Sequence, residues 1–244
     1  GAVHAYESGA WQRLPSVVTK HNHVSLAFWN ERWAAVQDRD ADDVVETLDP
    51  TSCAWQALPK TAVDWVTSQQ LVTVGSRLFS NARQAVQVVV LDGDEGCWAA
   101  LPTTAQPRVH YGICPMGDGL VVVGGWDGRL VSQLRSVERF CCTLQRWAPL
   151  PDMIEPRVRP GVAMWRGKLV VVGGCRDYVP LNSVEAYDPL AGTWHTMPPV
   201  RHARDFPSVV VYEGSLIVVS GEGSDYVSVD EVEQFDAEAQ AWRV

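Results

Sequence analysis

The sequence predicts an all-β fold, a β-propeller of four-stranded antiparallel blades with five complete repeats and a partial sixth. Tryptophan recurs at steps of 44, 43, 49, 47 and 48 residues, and a proline follows four residues after each of the first five. Valine runs that end in small residues recur with the same period. Self-similarity at such a period indicates a repeat architecture. The recurring tryptophans are Trp11, Trp55, Trp98, Trp147, Trp194 and Trp242.

The first two strands of a repeat are clearest from the third repeat onward. An apolar segment lies at 112–116, 162–165 and 209–212, and a turn follows it. The second strand is VVVGG at 121–125 and 170–174, and IVVSG at 217–221. A continuous valine run bounded by glycine is typical of a strand buried on both faces. We expect the small residues to allow positive φ or close backbone approach, and a variable loop to follow them.

The third strand has a Val-Glu-x-(Leu or aromatic) pattern, found at 45–48, 137–140, 184–187 and 232–235. Alternation places the valine and the large apolar residue on one face and the glutamate on the other. An aspartate turn and a short fourth strand that begins at the tryptophan complete the unit. Four short antiparallel strands per repeat are typical of a propeller blade.

These landmarks resemble the Kelch repeat: a double glycine after a valine strand, Val-Glu-x-Tyr/Phe-Asp, and a tryptophan six residues later. The resemblance is nearly complete over 103–242, and it is reduced over 12–98, with VTVGS at 72–76 and AAVQD at 34–38. It implies one propeller domain over 1–244. Its predicted parts are a terminal strand of a partial blade (1–11), two degenerate blades (12–55 and 56–98) and three regular blades (99–147, 148–194 and 195–242).

The blade count leaves two alternatives. Kelch propellers usually have six blades and close by joining strands from both termini, so the chain predicts either a truncated sixth blade or a five-bladed variant. An open propeller would expose edge strands and an apolar flank. We therefore expect the sequence to be a fragment of a longer chain.

Composition narrows the functional classes. The 244 residues are 46% hydrophobic, with a formal net charge of −9, which disfavours nucleic acid and acidic membrane surfaces as partners. No apolar run is long enough to span a membrane. Six cysteines without CxxC spacing predict reduced thiols and a cytoplasmic location.

Catalytic patterns are absent from the sequence, which predicts a protein that is not an enzyme and uses no metal or cofactor. His21 and His23 fit a polar turn better than a metal site, and the acidic segment 92–96 fits a hairpin better than a calcium loop. Glutamate recurs at one position of the third strand, which predicts a shared structural task rather than acid catalysis. These glutamates are Glu46, Glu138, Glu185 and Glu233.

The Kelch resemblance implies that a partner binds the loops after the double glycine and the residues just before the first strand. Arginine, tryptophan and tyrosine are common interface anchors, so we expect a basic, aromatic surface for an acidic or phosphorylated peptide. The predicted binding residues are Arg77, His110, Trp126, Asp127, Arg129, Arg159, Arg176, Asp177, Tyr178, Phe206, Glu222 and Tyr226. Three arginines in one repeated frame have either a structural role or a role in partner contact: Arg108, Arg157 and Arg204.

The predicted function is a protein-interaction module. If the parent chain is of the BTB-Kelch type, the resemblance implies substrate selection for a Cullin-3 ubiquitin ligase, although these residues contain no BTB, BACK or F-box segment. Two alternatives remain on the same fold. One is an enzyme similar to sugar mutarotases or copper oxidases, and the other is an actin or cytoskeletal scaffold that binds through blade flanks.

Overall fold

The computed structural model of the chain describes residues 3–7, 10–14, 24–37, 45–49, 51–58, 68–82, 88–92, 98–128 and 132–244. These residues form β-strands and no helix, so none of them belongs to a helix that could cross a membrane. By internal packing the chain divides into two compact units, Gly1–Thr103 and Thr104–Val244, which are described separately.

The first unit contains one two-stranded and two four-stranded antiparallel sheets. The two-stranded sheet pairs β1 (Val3–Glu7) with β2 (Ala10–Leu14). Blade 1 consists of β3 (Val24–Trp29), β4 (Arg32–Gln37), β5 (Val45–Asp49) and β6 (Ala54–Ala57). Blade 2 consists of β7 (Ser68–Val74), β8 (Arg77–Ala82), β9 (Val88–Asp92) and β10 (Ala99–Ala100).

The second unit contains three four-stranded antiparallel sheets and a small hairpin. Blade 3 consists of β11 (Gly112–Met116), β12 (Gly119–Val123), β13 (Val137–Cys141) and β14 (Arg146–Leu150). Blade 4 consists of β15 (Gly161–Trp165), β16 (Lys168–Val172), β19 (Val184–Asp188) and β20 (Thr193–Met197), with the hairpin β17 (Cys175–Arg176) and β18 (Val179–Pro180) inserted. Blade 5 consists of β21 (Ser208–Tyr212), β22 (Ser215–Val219), β23 (Glu233–Asp236) and β24 (Ala241–Arg243).

The predicted fold class is confirmed: the chain is an all-β propeller with five four-stranded antiparallel blades. The apolar residue of the third strand stacks on the tryptophan of the fourth, as in Tyr187 and Trp194, whose ring centroids are 5.3 Å apart. Each tryptophan is the second residue of its strand in blades 3, 4 and 5. A repeat boundary drawn at the tryptophan therefore falls inside the fourth strand.

The partial sixth sheet has two strands where the sequence predicted one over residues 1–11. In this sheet Tyr6 lies opposite Trp11, which is the register of Tyr187 opposite Trp194 in blade 4. The segment therefore corresponds to the third and fourth strands of a blade.

The register of blade 2 also differs from the prediction. The VTVGS segment at 72–76 was matched to a second strand with its glycine exit, but its valines lie in β7, the first strand. Gly75, with φ of +58°, occupies the turn that leads into β8. A valine run followed by a single glycine fits the end of a first strand as well as the end of a second strand. The pattern alone therefore did not show which of the two strands it belongs to.

Neighbouring blades of the second unit pack through continuous apolar cores. Between blades 4 and 5 the core includes Val170, Val172, Leu216 and Val218, all with no exposed surface. Trp242 covers the edge of this core. Its indole Nε1 donates to the carbonyl of Pro198, just after the last strand of blade 4, at 2.8 Å. The equivalent bond joins Trp194 to Pro151 at 2.7 Å.

One flank of blade 5 is exposed. Val210 and Tyr212 are 45% and 48% exposed, whereas the residues in the same register of blade 3, Cys114 and Met116, are buried.

Candidate interaction surface

The loops after the second strands of blades 3 and 4 begin at glycines that no other residue can replace without strain. Gly125 and Gly174 have φ of +99° and +86°. A Cβ on Gly174 would lie 2.5 Å from the carbonyl oxygen of Val158, and one on Gly125 would lie 2.7 Å from that of Val109. The prediction that these positions need positive φ and close backbone approach is confirmed.

In blades 3, 4 and 5, a buried arginine holds the two ends of the loop after the second strand together. In blade 4, Arg157 Nη1 donates to the carbonyl of Gly173 at 2.8 Å and to that of Ser183 at 3.2 Å. Its Nη2 lies 2.6 Å from Glu185 Oε1. The equivalent sets are Arg108 with Gly124, Ser136 and Glu138, and Arg204 with Ser220, Glu231 and Glu233. We call each set an arginine clamp.

The clamp glutamates have the shared structural task that their repetition predicted. Glu185 also accepts hydrogen bonds from the backbone N–H groups of Ile154 at 2.7 Å and Glu155 at 3.1 Å, in the segment that leads into the first strand of the same blade, β15. The side chains of the clamp arginines have no exposed surface. Of the two roles that the sequence allowed for them, they therefore have the structural role and not that of partner contact. Burial lowers the pKa of Arg108, against the effect of its pairing with Glu138.

Three predicted residues before the first strands share one conformation. His110, Arg159 and Phe206 have φ of +55°, +54° and +53°. The N–H of Arg159 donates to the carbonyl of His110 at 2.7 Å, which joins blades 3 and 4. These residues therefore occupy equivalent backbone positions shortly before β11, β15 and β21.

Arg159 extends from blade 4 to blade 5. Its Nε donates to both carboxylate oxygens of Asp205, at 3.0 and 3.1 Å, and its Nη2 contacts the same carboxylate. The guanidinium carbon lies 4.3 Å from the centroid of the Phe206 ring. Burial acts to lower the pKa of Arg159, but the hydrogen bond and charge of Asp205 raise it overall.

Asp205 was missed at the sequence level, although a signal was present. The clamp arginine is followed by valine in blades 3 and 4, at Val109 and Val158, and by aspartate in blade 5. A charged residue at a repeat position that is otherwise valine indicates a local role. The same carboxylate raises the pKa of the Cys175 thiol, after the larger effect of burial.

Arg176 is also ion-paired. Its Nη1 lies 3.1 Å from Glu155 Oε1, with 46% of the arginine side chain exposed. Glu155 in turn accepts from the Ser183 hydroxyl at 2.5 Å. Glu155 occupies the position of Gln106 in blade 3, whose side-chain oxygen accepts from Ser136. Because the two residues have the same repeat position and similar serine contacts, the repeat pattern did not indicate that Glu155 also pairs with Arg176.

The remaining predicted residues of the second unit lie in the loops. Trp126 is half-buried and forms isolated bridges to Val109 and Gln133, and the Asp127 N–H donates to Ser132. Glu222 forms bridges to Asp205 and Ser228. Asp177, Tyr178 and Tyr226 are exposed. Arg129 lies outside the described residues.

The predicted position of Arg77 is wrong. It was predicted in a loop after a second strand, but it begins β8, at the opposite end of its own blade from that loop. Phe79, two residues further along β8, is fully buried. The cause is the misassigned VTVGS segment.

The loop surface of blades 4 and 5 does not have the basic character that the sequence predicted. In blades 4 and 5, the loop surface comprises residues 153–160, 173–183, 201–207 and 221–232. Arg159 and Arg176 are neutralised by Asp205 and Glu155, and the clamp arginines by their glutamates. Arg201 is the cation of this surface without a carboxylate partner among the described residues. Among the described residues of this surface, the carboxylates without an ion pair are Asp177, Asp225, Asp230 and Glu231, whereas the charge of Glu222 helps to raise the pKa of Arg159.

An open cleft of about 380 Å³ lies at the opposite end of blades 4 and 5. Both arginines of the cleft are already engaged: Arg243 lies 2.5 Å from Asp236, and the guanidinium carbon of Arg166 lies 4.7 Å from the centroid of the Trp165 ring. In the part of the chain that the structure describes, no three metal-ligating side chains are arranged to hold an ion.

The chain matches the family model described as the KLHDC2/KLHL20/DRC7 Kelch-repeats domain over residues 60–244. A solved structure, that of YjhT, has a similar fold with a TM-score of 0.80 at 10% sequence identity; the match covers 99% of this chain and 90% of that chain. At that identity the likeness concerns the fold alone. A search of curated proteins finds no match.

Proposed function

Because this chain belongs to the KLHDC2/KLHL20/DRC7 Kelch-repeats family, we propose that it is a protein-interaction module whose loop surface binds a segment of a partner. The observation that supports this most directly is the arginine clamp. It fixes the ends of loops whose sequences differ between blades, so that variable side chains are presented on a rigid base. Such an arrangement suits recognition, since little ordering entropy is lost on binding.

The side chains at the loop tips support the same function. Tyr178 and Tyr226 are 82% and 80% exposed, and Phe206 is 44% exposed beside Arg159. Exposed aromatic side chains supply large contact areas with few rotatable bonds. The chemistry proposed for this surface is binding, and the protein is proposed not to be an enzyme.

A role as a substrate-recognition domain of a Cullin-3 ligase is part of the proposal. It applies to a parent chain that carries a cullin-binding segment, and it rests on the family. Co-precipitation of Cullin-3 with the full-length protein from cells tests it, and failure to recover the cullin would remove the adaptor role while leaving the interaction module in place.

We also propose a cytoplasmic location. Cys114 and Cys175 are free and buried, and burial raises the pKa of Cys114 to about 12, which keeps this thiol protonated. Imaging of the tagged full-length protein in cells tests the location, and a secreted protein would contradict it.

The interaction function is tested by affinity capture from cytosolic lysate with quantitative mass spectrometry. The test variant is the pair Arg159→Ala and Arg176→Ala, which changes the loop surface of blade 4. The matched control is the pair Arg166→Ala and Arg243→Ala, which removes two arginines at the opposite end of blades 4 and 5.

We expect a set of proteins to be captured by the wild type and the control pair but not by the test pair, with both variants folded by circular dichroism. Loss from the control pair alone would point to the opposite end of the blades. An unchanged set in both variants would contradict the loop surface and favour binding through the blade flanks.

A further inference from the structure

Two neighbouring loop tips carry the same tripeptide. Asp177-Tyr178-Val179 lies at the tip of the blade 4 loop and Asp225-Tyr226-Val227 at the tip of the blade 5 loop. Besides the two tyrosines, Val179 and Val227 are 57% and 60% exposed. We call these two segments the twin tips. The family landmarks do not include them, so the repeat itself does not account for their likeness.

The backbone holds both tyrosines in a conformation that their residue type disfavours. Tyr178 and Tyr226 have φ of +64° and +61°. Asp177 also has positive φ, so Asp177 and Tyr178 occupy the two central positions of a hairpin turn that normally favours Asn-Gly. At Tyr226, the N–H donates to the carbonyl of Gly223 at 3.0 Å, which fixes the turn. Glycine or asparagine would serve the turn with less strain, so these tyrosines are not explained by the fold.

The charges around the twin tips are unbalanced. Both tips carry an aspartate, and Asp230 and Glu231 belong to the same loop surface without a basic partner in the described parts of the chain. The arginine nearest in sequence, Arg176, is held by Glu155. An acidic segment would meet net repulsion here, whereas a basic segment would neutralise the surface.

We infer that the twin tips bind a basic segment of the partner protein, each tip taking one lysine or arginine side chain. The cation lies over the exposed tyrosine ring, and the preceding aspartate provides the counter-charge. The exposed valines cover the aliphatic stem of the bound side chain. This inference rests on the proposed function and names the chemical class of its ligand.

The test is selection of a random 12-residue peptide library, displayed on phage, against the intact chain. The enriched peptides are synthesised, and their affinities are measured by fluorescence polarisation. The test variants are the pair Tyr178→Ser and Tyr226→Ser, and the pair Asp177→Asn and Asp225→Asn. The matched control is the pair Glu213→Gln and Glu238→Gln, which removes the same charge from exposed turns at the other end of blade 5.

We expect the enriched peptides to be rich in lysine and arginine. Each test pair should weaken their binding by about fivefold or more, the effect of losing two exposed cation–π or charge contacts, and the control pair by less than twofold. Peptides rich in acidic residues, with binding lost in the Arg159→Ala and Arg176→Ala pair, would overturn the inference and leave the proposed function standing. Peptides unaffected by any loop-surface variant would overturn both.

Discussion

Arg159 and Asp205 form an ion pair between blades 4 and 5, with the Phe206 ring beneath the guanidinium. The arginine side chain is 25% exposed and the aspartate side chain 9% exposed. The pair therefore ties neighbouring blades together at the loop surface, and it removes from that surface a positive charge which the sequence had assigned to a partner.

A double-mutant cycle measures this pair. With Asp205→Asn, Arg159→Met and their combination, we expect a coupling free energy of about 1–2 kcal/mol in urea unfolding, since the contact is partly shielded from water. The control pair is Arg135 and Asp152, whose side chains are 61% and 49% exposed at 3.2 Å. Its coupling should be about 0.5 kcal/mol or less. Equal coupling in the two cycles would contradict the inter-blade role.

The arginine clamp gives a larger expected effect. Arg157→Ala leaves the buried Glu185 carboxylate without its cation, so the free energy of unfolding should fall by about 3–5 kcal/mol. Arg176→Ala, which removes an arginine of the same blade from a more exposed pair, should cost about 1 kcal/mol or less. Both are measured by denaturant unfolding. A cost for Arg157→Ala that matches that of Arg176→Ala would show that the clamp does not stabilise the fold.

The regular blades could be predicted closely from the sequence. The segment 112–116 coincides with β11, because valine runs, turn residues and the Val-Glu-x-aromatic pattern all favour the same strand register. Blade 2 could not be predicted in the same way. Its second strand, β8, ends in Ser80-Asn81-Ala82 rather than a glycine pair, so the predicted match falls on Gly75, which belongs to a different turn.

In blades 4 and 5, the position of the loop surface could be predicted from the sequence, but its charge could not. A repeat identifies equivalent positions, such as His110, Arg159 and Phe206, because their backbones are equivalent. It does not reveal which side chains converge from neighbouring blades. The partners of Arg159 and Arg176 come from non-equivalent positions, Asp205 and Glu155, and only the packed structure brings them together.

The glycine at the loop exit makes a prediction about backbone strain. Gly174→Ala would place a Cβ 2.5 Å from the Val158 carbonyl oxygen and would also force alanine to φ of +86°. We expect a loss of about 3 kcal/mol in the free energy of unfolding. Gly192→Ala is the matched control, since φ is +69° but no atom lies within 4 Å, and it should cost about 1 kcal/mol. Equal losses would mean that the dihedral, and not the close approach, is responsible.

The aspartate turn between the third and fourth strands predicts a pH dependence. Asp188 accepts hydrogen bonds from the N–H groups of Ala191 at 3.2 Å and Leu190 at 2.9 Å, and these bonds, with a smaller effect of Lys168, hold its pKa below 3.8. Because the pKa is lower in the folded state, this stabilisation is present above the unfolded value of 3.8 and is lost as pH falls through the folded value.

Asp188→Ala should therefore lower the melting temperature at neutral pH, and its difference from the wild type should shrink as pH falls from about 5 to about 2. Thermal unfolding at a series of pH values checks this. Asp230→Ala, at an exposed loop position, is the control and should show no comparable trend. If the Asp188→Ala difference stays constant across the series, the turn depends on the shape of the aspartate side chain rather than on its charge.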